Sequence, residues 1–520
     1  MAIAANVFWM LDRSAQAYGE DPAIVFGDAT LSFRGLRDRA ANLANGLRAL
    51  GVAPGDRVAV LLSNRLEWPE AFFALAAAGA ICVPVNVLLA PPEIAHVMAD
   101  SGARAMIFDE LGAEALAAMP DPPRLLVAVG GAQPPAGLAA TSYERLFAAS
   151  APADPPAQPG AQDVFIYYYS SGTTGLPKAA MHTHDGVLWN SVAQIDDLKL
   201  DRSVTYLIAP SFSWAAGFHN LVLALLWVGG VSVIAPTGGG AGRLIDAIEA
   251  GQATHVMLVP TLIRQIAADQ ALLARLRATR LRWVVTGAEP VPMELVARLS
   301  AALPDCRVCQ GYGLSEFPTI CTVLSPDEAL ARNGSAGRAL SHTTLAVMTD
   351  AGEIRRSGRG ELLIRSPATM TGYHNAPEKT ADAFIDGWLR TGDLAEVDAD
   401  GYAFIVGRTK DMIISGGLNI YPKEVEDVLH ALPGVVEAAV VGAPDDRFGE
   451  RAVAVVVARP GAEPQVAMLE TACRERLAGY KAPRDFLVRH DPLPRSPTGK
   501  VLKRELRPWV QARLASRPRP

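Results

Sequence analysis

The stretch Tyr167-Tyr168-Tyr169-Ser170-Ser171-Gly172-Thr173-Thr174-Gly175-Leu176-Pro177-Lys178 carries the strongest signal in this chain. An apolar, β-rich run from Val164 ends in six consecutive Ser, Gly or Thr residues, and a Pro-Lys pair follows. Small side chains let backbone N–H groups come close to an anion, hydroxyls add hydrogen bonds, and a lysine adds a positive charge. Pro177 stands where a Walker A loop requires glycine, so the segment is a different kind of phosphate cradle. A Ser/Gly/Thr run also serves as a flexible linker; the strand before it and the Pro-Lys after it favour the cradle.

Toward the N-terminus, from about Ala23 to Gly130, short β-rich runs alternate with Ala/Leu-rich stretches. The runs are Ala23–Phe26, Val58–Leu62, Ile81–Val85 and Ala105–Phe108, and Leu36–Leu50 and Pro69–Ala78 read as helices. Such alternation predicts a layered α/β domain with a largely parallel sheet. A Pro/Ala-rich loop over 148–162 precedes a second α/β stretch, which runs from Val164 through Val204–Ala209, Val231–Ala235, His255–Val259 and Trp283–Thr286. Beyond Gly334 the short runs Leu345–Met348, Glu361–Ile364 and Ala403–Val406 predict a small β-rich unit. After Arg408 helices near Pro422–Leu432 and Val466–Leu477 lie between strands at Val435–Val441 and Ala452–Val457. The expected fold is therefore a large multi-layer α/β N-terminal domain, with two sheet units and a β-rich unit, followed by a smaller α+β domain.

Composition narrows the function classes. The 520 residues are 50% hydrophobic and 20% charged, as in a globular enzyme rather than a disordered chain. A net charge of −6 offers no basic field for nucleic acid, although the tail from Leu493 to Pro520 carries +7 and leaves −13 for the rest. Five cysteines argue against a disulfide scaffold and for a reducing compartment. Cys306 and Cys309 form a CxxC with no companion pair, and their thiols should face opposite ways along a strand. The start of the chain lacks the pattern of a signal peptide, and Gly79, Pro84 and Asn86 interrupt the apolar run from Ala71 to Ala90. The expectation is a cytoplasmic protein without a membrane span.

Four further segments carry chemistry. In Gln310-Gly311-Tyr312-Gly313-Leu314-Ser315-Glu316, two glycines flank an aromatic able to stack on a purine, and Glu316 is a hard oxygen ligand suited to Mg²⁺. A tight turn after a strand would give the same pattern. Gly387-Trp388-Leu389-Arg390-Thr391-Gly392-Asp393 offers a carboxylate for a ribose diol, and Gly407-Arg408-Thr409-Lys410-Asp411 a guanidinium for ribose or phosphate. Pro494-Arg495-Ser496-Pro497-Thr498-Gly499-Lys500 places a lysine on a Gly-containing loop within the basic tail.

Taken together and in this order, these segments resemble the adenylate-forming superfamily of acyl-CoA synthetases, amino-acid adenylation domains and firefly luciferases. The resemblance spans nearly the whole chain. It implies that residues 1–409 form an AMP-binding domain and 410–520 a mobile domain, with a hinge over 408–410 at Lys410. It implies that Ser170, Ser171, Gly172, Thr173, Thr174 and Gly175, backed by Lys178, hold the ATP phosphates. Gly287, Ala288 and Glu289 with Gln310, Gly311, Tyr312 and Gly313 would enclose adenine. Ser315, where the family usually has Thr, would contact the α-phosphate. Glu316 and Thr174 would bind Mg²⁺, and Asp393 and Arg408 the ribose and phosphate. Lys500, on the 494–500 loop, would meet the acyl carboxylate and α-phosphate.

For the second half-reaction the resemblance implies that Gly416 and Gly417 line a pantetheine path, and that Phe448, Tyr480 and Lys481 meet the nucleotide of coenzyme A. Ala482 departs from relatives with a basic residue there. The segment Pro210–Asn220 matches the acyl pocket through Trp214, Gly217, Phe218 and His219, although a buried Trp or His also serves as plain core. No acidic residue occurs in it, which argues against an amino-acid substrate, and it has some likeness to benzoate-type ligases. The implied activity is an ATP- and CoA-dependent acid ligase acting on an aromatic, alicyclic or short- to medium-chain acid. Alternatives are an acyl-adenylate donor to a carrier protein's phosphopantetheine and an inactive nucleotide-binding protein. The oligomeric state, monomer or homodimer, is left open.

Overall fold

The computed structural model describes residues 5–147, 159–170, 177–236, 238, 240–287, 293–329, 331–332, 334–445, 447–495 and 501–516. The chain divides into two compact units, Met1–Thr344 with Ile364–Leu389, and Leu345–Leu363 with Arg390–Pro520.

The first unit is built on two large sheets. One has eight strands, in the order Gly372–Tyr373, Lys178–Thr183, Val164–Ser170, Ile81–Pro84, Arg57–Leu61, Ala105–Phe108, Leu125–Ala128 and Thr141–Ser142. Its body is parallel, and Lys178–Thr183 runs antiparallel to the neighbour on each side. The other has nine strands, with Trp283–Gly287, His255–Leu258, Thr205–Ile208 and Val231–Ile234 at its parallel centre. The early run expected to start the first sheet, Pro22–Phe26, instead lies parallel to Val231–Ile234 in the second. Conversely, the strand at Val164, expected in the second stretch, joins the first sheet by pairing Ile166 with Cys82. Period-two patterning marks a strand but not its sheet, because partner choice depends on which faces must be covered.

Those faces explain the layering. The helix Glu67–Ala78 is buried at every position from Trp68 onward, since it lies between the sheets within one core that takes residues from both, such as Val58, Cys82 and Tyr168, and Tyr206, Met257 and Cys309. A helix buried this completely is stable only in such a setting, and its one buried charge, Glu70, is met by Arg39. The outer faces are covered by Pro91–Ser101 and Glu110–Ala117 on one sheet, and by Gly240–Ala250 and Pro260–Ala268 on the other. Cys306 and Cys309 sit in different cores, on opposite faces of the nine-stranded sheet. Among the described residues no helix is long and apolar enough to cross a membrane, and no cluster of three His, Cys, Asp or Glu could hold a metal unaided.

The strands Gly358–Arg365, Trp388–Val397 and Ala403–Arg408 belong to the expected β-rich sheet. A five-stranded sheet follows, led by the long hairpin Val435–Asp445 and Gly449–Ala458. The helices Pro422–His430 and Val466–Arg476 cover one face and Lys503–Ala515 the other.

Candidate functional site

The anion-cradle segment lies in a hairpin. Val164–Ser170 runs antiparallel to Lys178–Thr183, with Tyr168 opposite Ala180 and Ser170 opposite Lys178. The loop therefore leaves and returns at a registered pair, and it leads into a strand rather than into a helix N-terminus. Ser171, Gly172, Thr173, Thr174 and Gly175 lie outside the described residues. The hairpin is anchored on every side. Tyr167 and His374 share a hydrogen bond of 3.1 Å, Tyr169 donates to Asp100 at 2.9 Å, and the Pro177 carbonyl accepts from His96 at 3.0 Å.

The segment from Gln310 is also not a turn: Arg307–Leu314 is a strand, and the reversal falls at Ser315 and Glu316 before Phe317–Leu324. Gly313 in it, and Gly287 on the neighbouring strand, are required by close backbone approach. A Cβ on Gly313 would lie 1.4 Å from the Thr319 carbonyl oxygen, and one on Gly287 would lie 2.2 Å from that of Gly311. Ala288 and Glu289 lie outside the described residues.

The reversal at Ser315 and Glu316 is gripped from the other sheet. His182 is wholly buried and its Nε2 lies 2.8 Å from the Ser315 carbonyl oxygen. Burial pulls its pKa down to about 4, so the ring is neutral and Nε2 must carry the proton it donates. The Met370 amide donates to the Glu316 carbonyl at 3.0 Å, and the Tyr373 hydroxyl donates to Glu316 Oε1 at 2.8 Å. Lys178 Nζ stands 5.3 Å from the centre of the Tyr373 ring. Its pKa is lowered first by desolvation and then by Lys379, against the opposing pull of Glu316 and Asp382. Residues 178, 316 and 373 thus form one charged cluster beside the cradle.

The Pro210–Asn220 segment is held by Asn64, whose Nδ2 donates to the Pro210 carbonyl and whose Oδ1 accepts the Phe212 amide, both at 2.8 Å. Gly217 lies so close that a Cβ would come within 1.8 Å of the Ser211 carbonyl oxygen. Phe218 packs among Trp68, Phe72 and Phe212, and His219 is buried with its Nδ1 2.7 Å from the Tyr168 hydroxyl. The buried atoms Trp214 Nε1 and His219 Nε2 find no hydrogen-bond partner.

In the second unit Asp393 and Arg408 are cross-strand partners and form an ion pair of 3.0 Å. Lys410 sits in the short helical turn Thr409–Asp411. Gly416 and Gly417 both have positive φ, 59° and 80°, and a Cβ on Gly416 would meet the Phe448 ring at 2.9 Å. Lys481 is ion-paired with Glu424, so its charge is already matched within this unit. The guanidinium of Arg484 lies instead 4.1 Å from the Phe448 ring centre, and with Tyr480 and Arg474 it lines a groove of about 250 Å³. Lys500 lies outside the described residues. The loop that carries it is pinned at its base by a bridge between Arg495 and Val501 and by the Arg495–Glu437 ion pair at 3.0 Å.

Residues 11–374 match the model of AMP-binding enzymes, and 424–500 that of the AMP-binding enzyme C-terminal domain. The chain belongs to the AMP-binding enzyme family.

Similar proteins include FadD13, a long-chain-fatty-acid–CoA ligase of Mycobacterium tuberculosis, at 38% identity over 98% of this chain and 99% of its own. A feruloyl-CoA synthase of an Amycolatopsis species is 39% identical over 95% and 97%. Among solved structures, the anthranilate CoA ligase AuaEII in complex with anthranoyl-AMP superposes with a TM-score of 0.87 at 28% identity, covering 99% of both chains.

In this AMP-binding enzyme three well-placed side chains escaped sequence reasoning: Tyr373, His182 and Arg484. Tyr373 and Glu316 are 57 positions apart, His182 and Ser315 133 apart, so no local pattern joins them. Arg484 was within reach, since it stands two residues beyond Ala482, where the expected basic residue is missing.

Proposed function

We propose that this AMP-binding enzyme is an AMP-forming acid–CoA ligase acting on an aromatic, alicyclic or short- to medium-chain carboxylic acid. The observation that carries the reading is the cluster of Lys178, Glu316 and Tyr373 at the mouth of the cradle hairpin. In the first half-reaction a carboxylate oxygen of the acid attacks the α-phosphorus of ATP and pyrophosphate leaves, giving an acyl-adenylate. In the second, the thiol sulfur of coenzyme A attacks the acyl carbon and AMP leaves. Both steps bring anions together, so the demand on the protein is alignment and charge neutralisation rather than a protein nucleophile.

Roles are assigned on this basis. The loop from Ser170 to Gly175 and Lys178 hold the β- and γ-phosphates, Tyr312 and the glycines around it receive adenine, and Asp393 holds the ribose hydroxyls. Lys500 neutralises charge at the α-phosphate, and the chain divides functionally at Lys410. A magnesium ion, when bound, would neutralise phosphate charge. Glu316 suits it, because a single hard carboxylate that shares the ion with substrate phosphates is the usual protein share, and no all-protein cage occurs among the described residues. The acyl segment Pro210–Asn220 contains no carboxylate to hold a substrate ammonium, which supports an acid without an amino group.

The test is a panel of aryl, alicyclic and C2–C16 acids, each read by AMP release with and without coenzyme A. The reading requires CoA-dependent AMP release with at least one acid of the stated classes. Turnover only with C16, or only with a carrier protein as acceptor, would overturn it.

A further inference from the structure

Tyr373 has no assigned part in the chemistry above, yet it is the residue that touches both charged members of the cluster. Its hydroxyl donates to Glu316 Oε1 at 2.8 Å, and its ring lies under the Lys178 ammonium at 5.3 Å. The backbone holds it rigidly. Gly372 and Tyr373 form an edge strand opposite Met181 and Ala180, the Tyr373 amide donates to Thr380 Oγ1 at 2.9 Å, and the His374 amide donates to the Ala179 carbonyl at 2.9 Å. Gly372 has φ 148° and so little room that a Cβ would meet the Thr380 side chain at 2.6 Å. Met370 and Leu389 back the strand in a small apolar cluster.

A glutamate on a turn has rotational freedom about three side-chain bonds and loses entropy when its carboxylate is fixed on a cation. One hydrogen bond to a rigid phenol removes that freedom in advance, which is what the neighbours of metal-binding carboxylates do in general. The ring's negative face toward Lys178 also keeps the ammonium off the carboxylate, so that Glu316 is not consumed in a direct ion pair. Burial and the adjacent carboxylate both push the phenol pKa up, so it keeps the proton it donates.

We infer that Tyr373 is a positioning residue, which presets the Glu316 carboxylate for a divalent cation and holds Lys178 apart from it. The inference rests on the assignment of Glu316 in the proposed function. The experiment compares Tyr373→Phe, Glu316→Gln and the double variant in the full chain. Pyrophosphate exchange is titrated with Mg²⁺ at fixed ATP, and ATP binding is measured by calorimetry with Mg²⁺ and with EDTA.

With Y373F the Mg²⁺ concentration for half-maximal exchange should rise about tenfold, the scale of one hydrogen bond to a charged group. The maximal rate should recover at saturating Mg²⁺, and ATP affinity should fall with Mg²⁺ but not in EDTA. E316Q should shift the Mg²⁺ requirement further, and adding Y373F to it should change nothing more. If E316Q shifts the requirement and Y373F does not, the inference fails while the assignment of Glu316 stands. If neither does, the assignment itself fails. An equal loss of ATP affinity with and without Mg²⁺ would make Tyr373 merely structural and overturn the inference. Should Y373F not fold, Tyr373→Leu, which also lacks the hydroxyl, must raise the Mg²⁺ requirement in the same way, again with ATP affinity in EDTA unchanged.

Discussion

His182 and Ser315 join the two large sheets of the first unit by a single hydrogen bond, from a buried neutral imidazole to the carbonyl beside Glu316. Protonating its other nitrogen, Nδ1, which finds no partner in the interior, would bury an unpaired N–H and a charge, so burial keeps the ring neutral. It is one of four buried histidines whose pKa values burial lowers: His182 to about 4, His184 to about 4, His219 to about 3 and His255 to about 4.

Because these folded-state values lie below the unfolded value near 6.5, the unfolded chain binds more protons as pH falls through that window. Stability should be fully present above pH 6.5 and decline between 6.5 and 4, by roughly 1.4 kcal/mol per pH unit for each histidine that stays neutral. Urea midpoints at pH 7.5, 5.5 and 4.5 check this. A midpoint unchanged across that range would show that the histidines are not held neutral.

Glu70 is buried against Arg39, which meets it with two nitrogens, and against the Tyr143 hydroxyl at 2.8 Å. Replacing Arg39 by Met should cost about 3 kcal/mol at pH 8, since it leaves a buried carboxylate uncompensated. Burial already raises the Glu70 pKa, so the lone carboxyl will take up a proton and the loss should shrink at pH 5. Denaturation at the two pH values measures the difference.

Gly313→Ala should disrupt the strand that ends at Ser315, because its Cβ would overlap the Thr319 carbonyl. A loss of adenylation of at least about a hundredfold, or a marked drop in melting temperature, is expected. Gly242→Ala, on the helix Gly240–Ala250 with nothing within 4 Å of a new Cβ, is the control. It should be neutral or stabilise by about 0.5–1 kcal/mol.

Lys500→Ala should lower carboxylate-dependent pyrophosphate exchange by about two to three orders of magnitude, the scale of one lost electrostatic contact at the reacting phosphate. Thioester formation from preformed acyl-adenylate and coenzyme A should persist. Wild-type exchange in the variant would remove Lys500 from the proposed chemistry.

Much of this was legible along the chain. Val164–Tyr169, the small residues after it and Lys178 are contiguous, so hydrogen-bonding capacity and charge could be read directly. The helix-to-strand passage ending at Val85 was equally local. The sheet membership of Pro22–Phe26 was not, because its partner strand begins some two hundred residues later at Val231. Nor was the placement of Lys481, a turn residue whose ammonium is taken by Glu424 on the helix Pro422–His430.

The sequence by itself determined the strands and helices, the glycine-rich turns and the set of charged groups, because backbone preference and apolar period act over a few neighbours. The tertiary structure alone decided that Tyr373 reaches Glu316, that His182 grips Ser315 and that Asn64 clasps Phe212. Those contacts follow from the register and stacking of two sheets, and pairing of that kind is settled by which distant apolar faces bury one another, not by any residue's own neighbourhood.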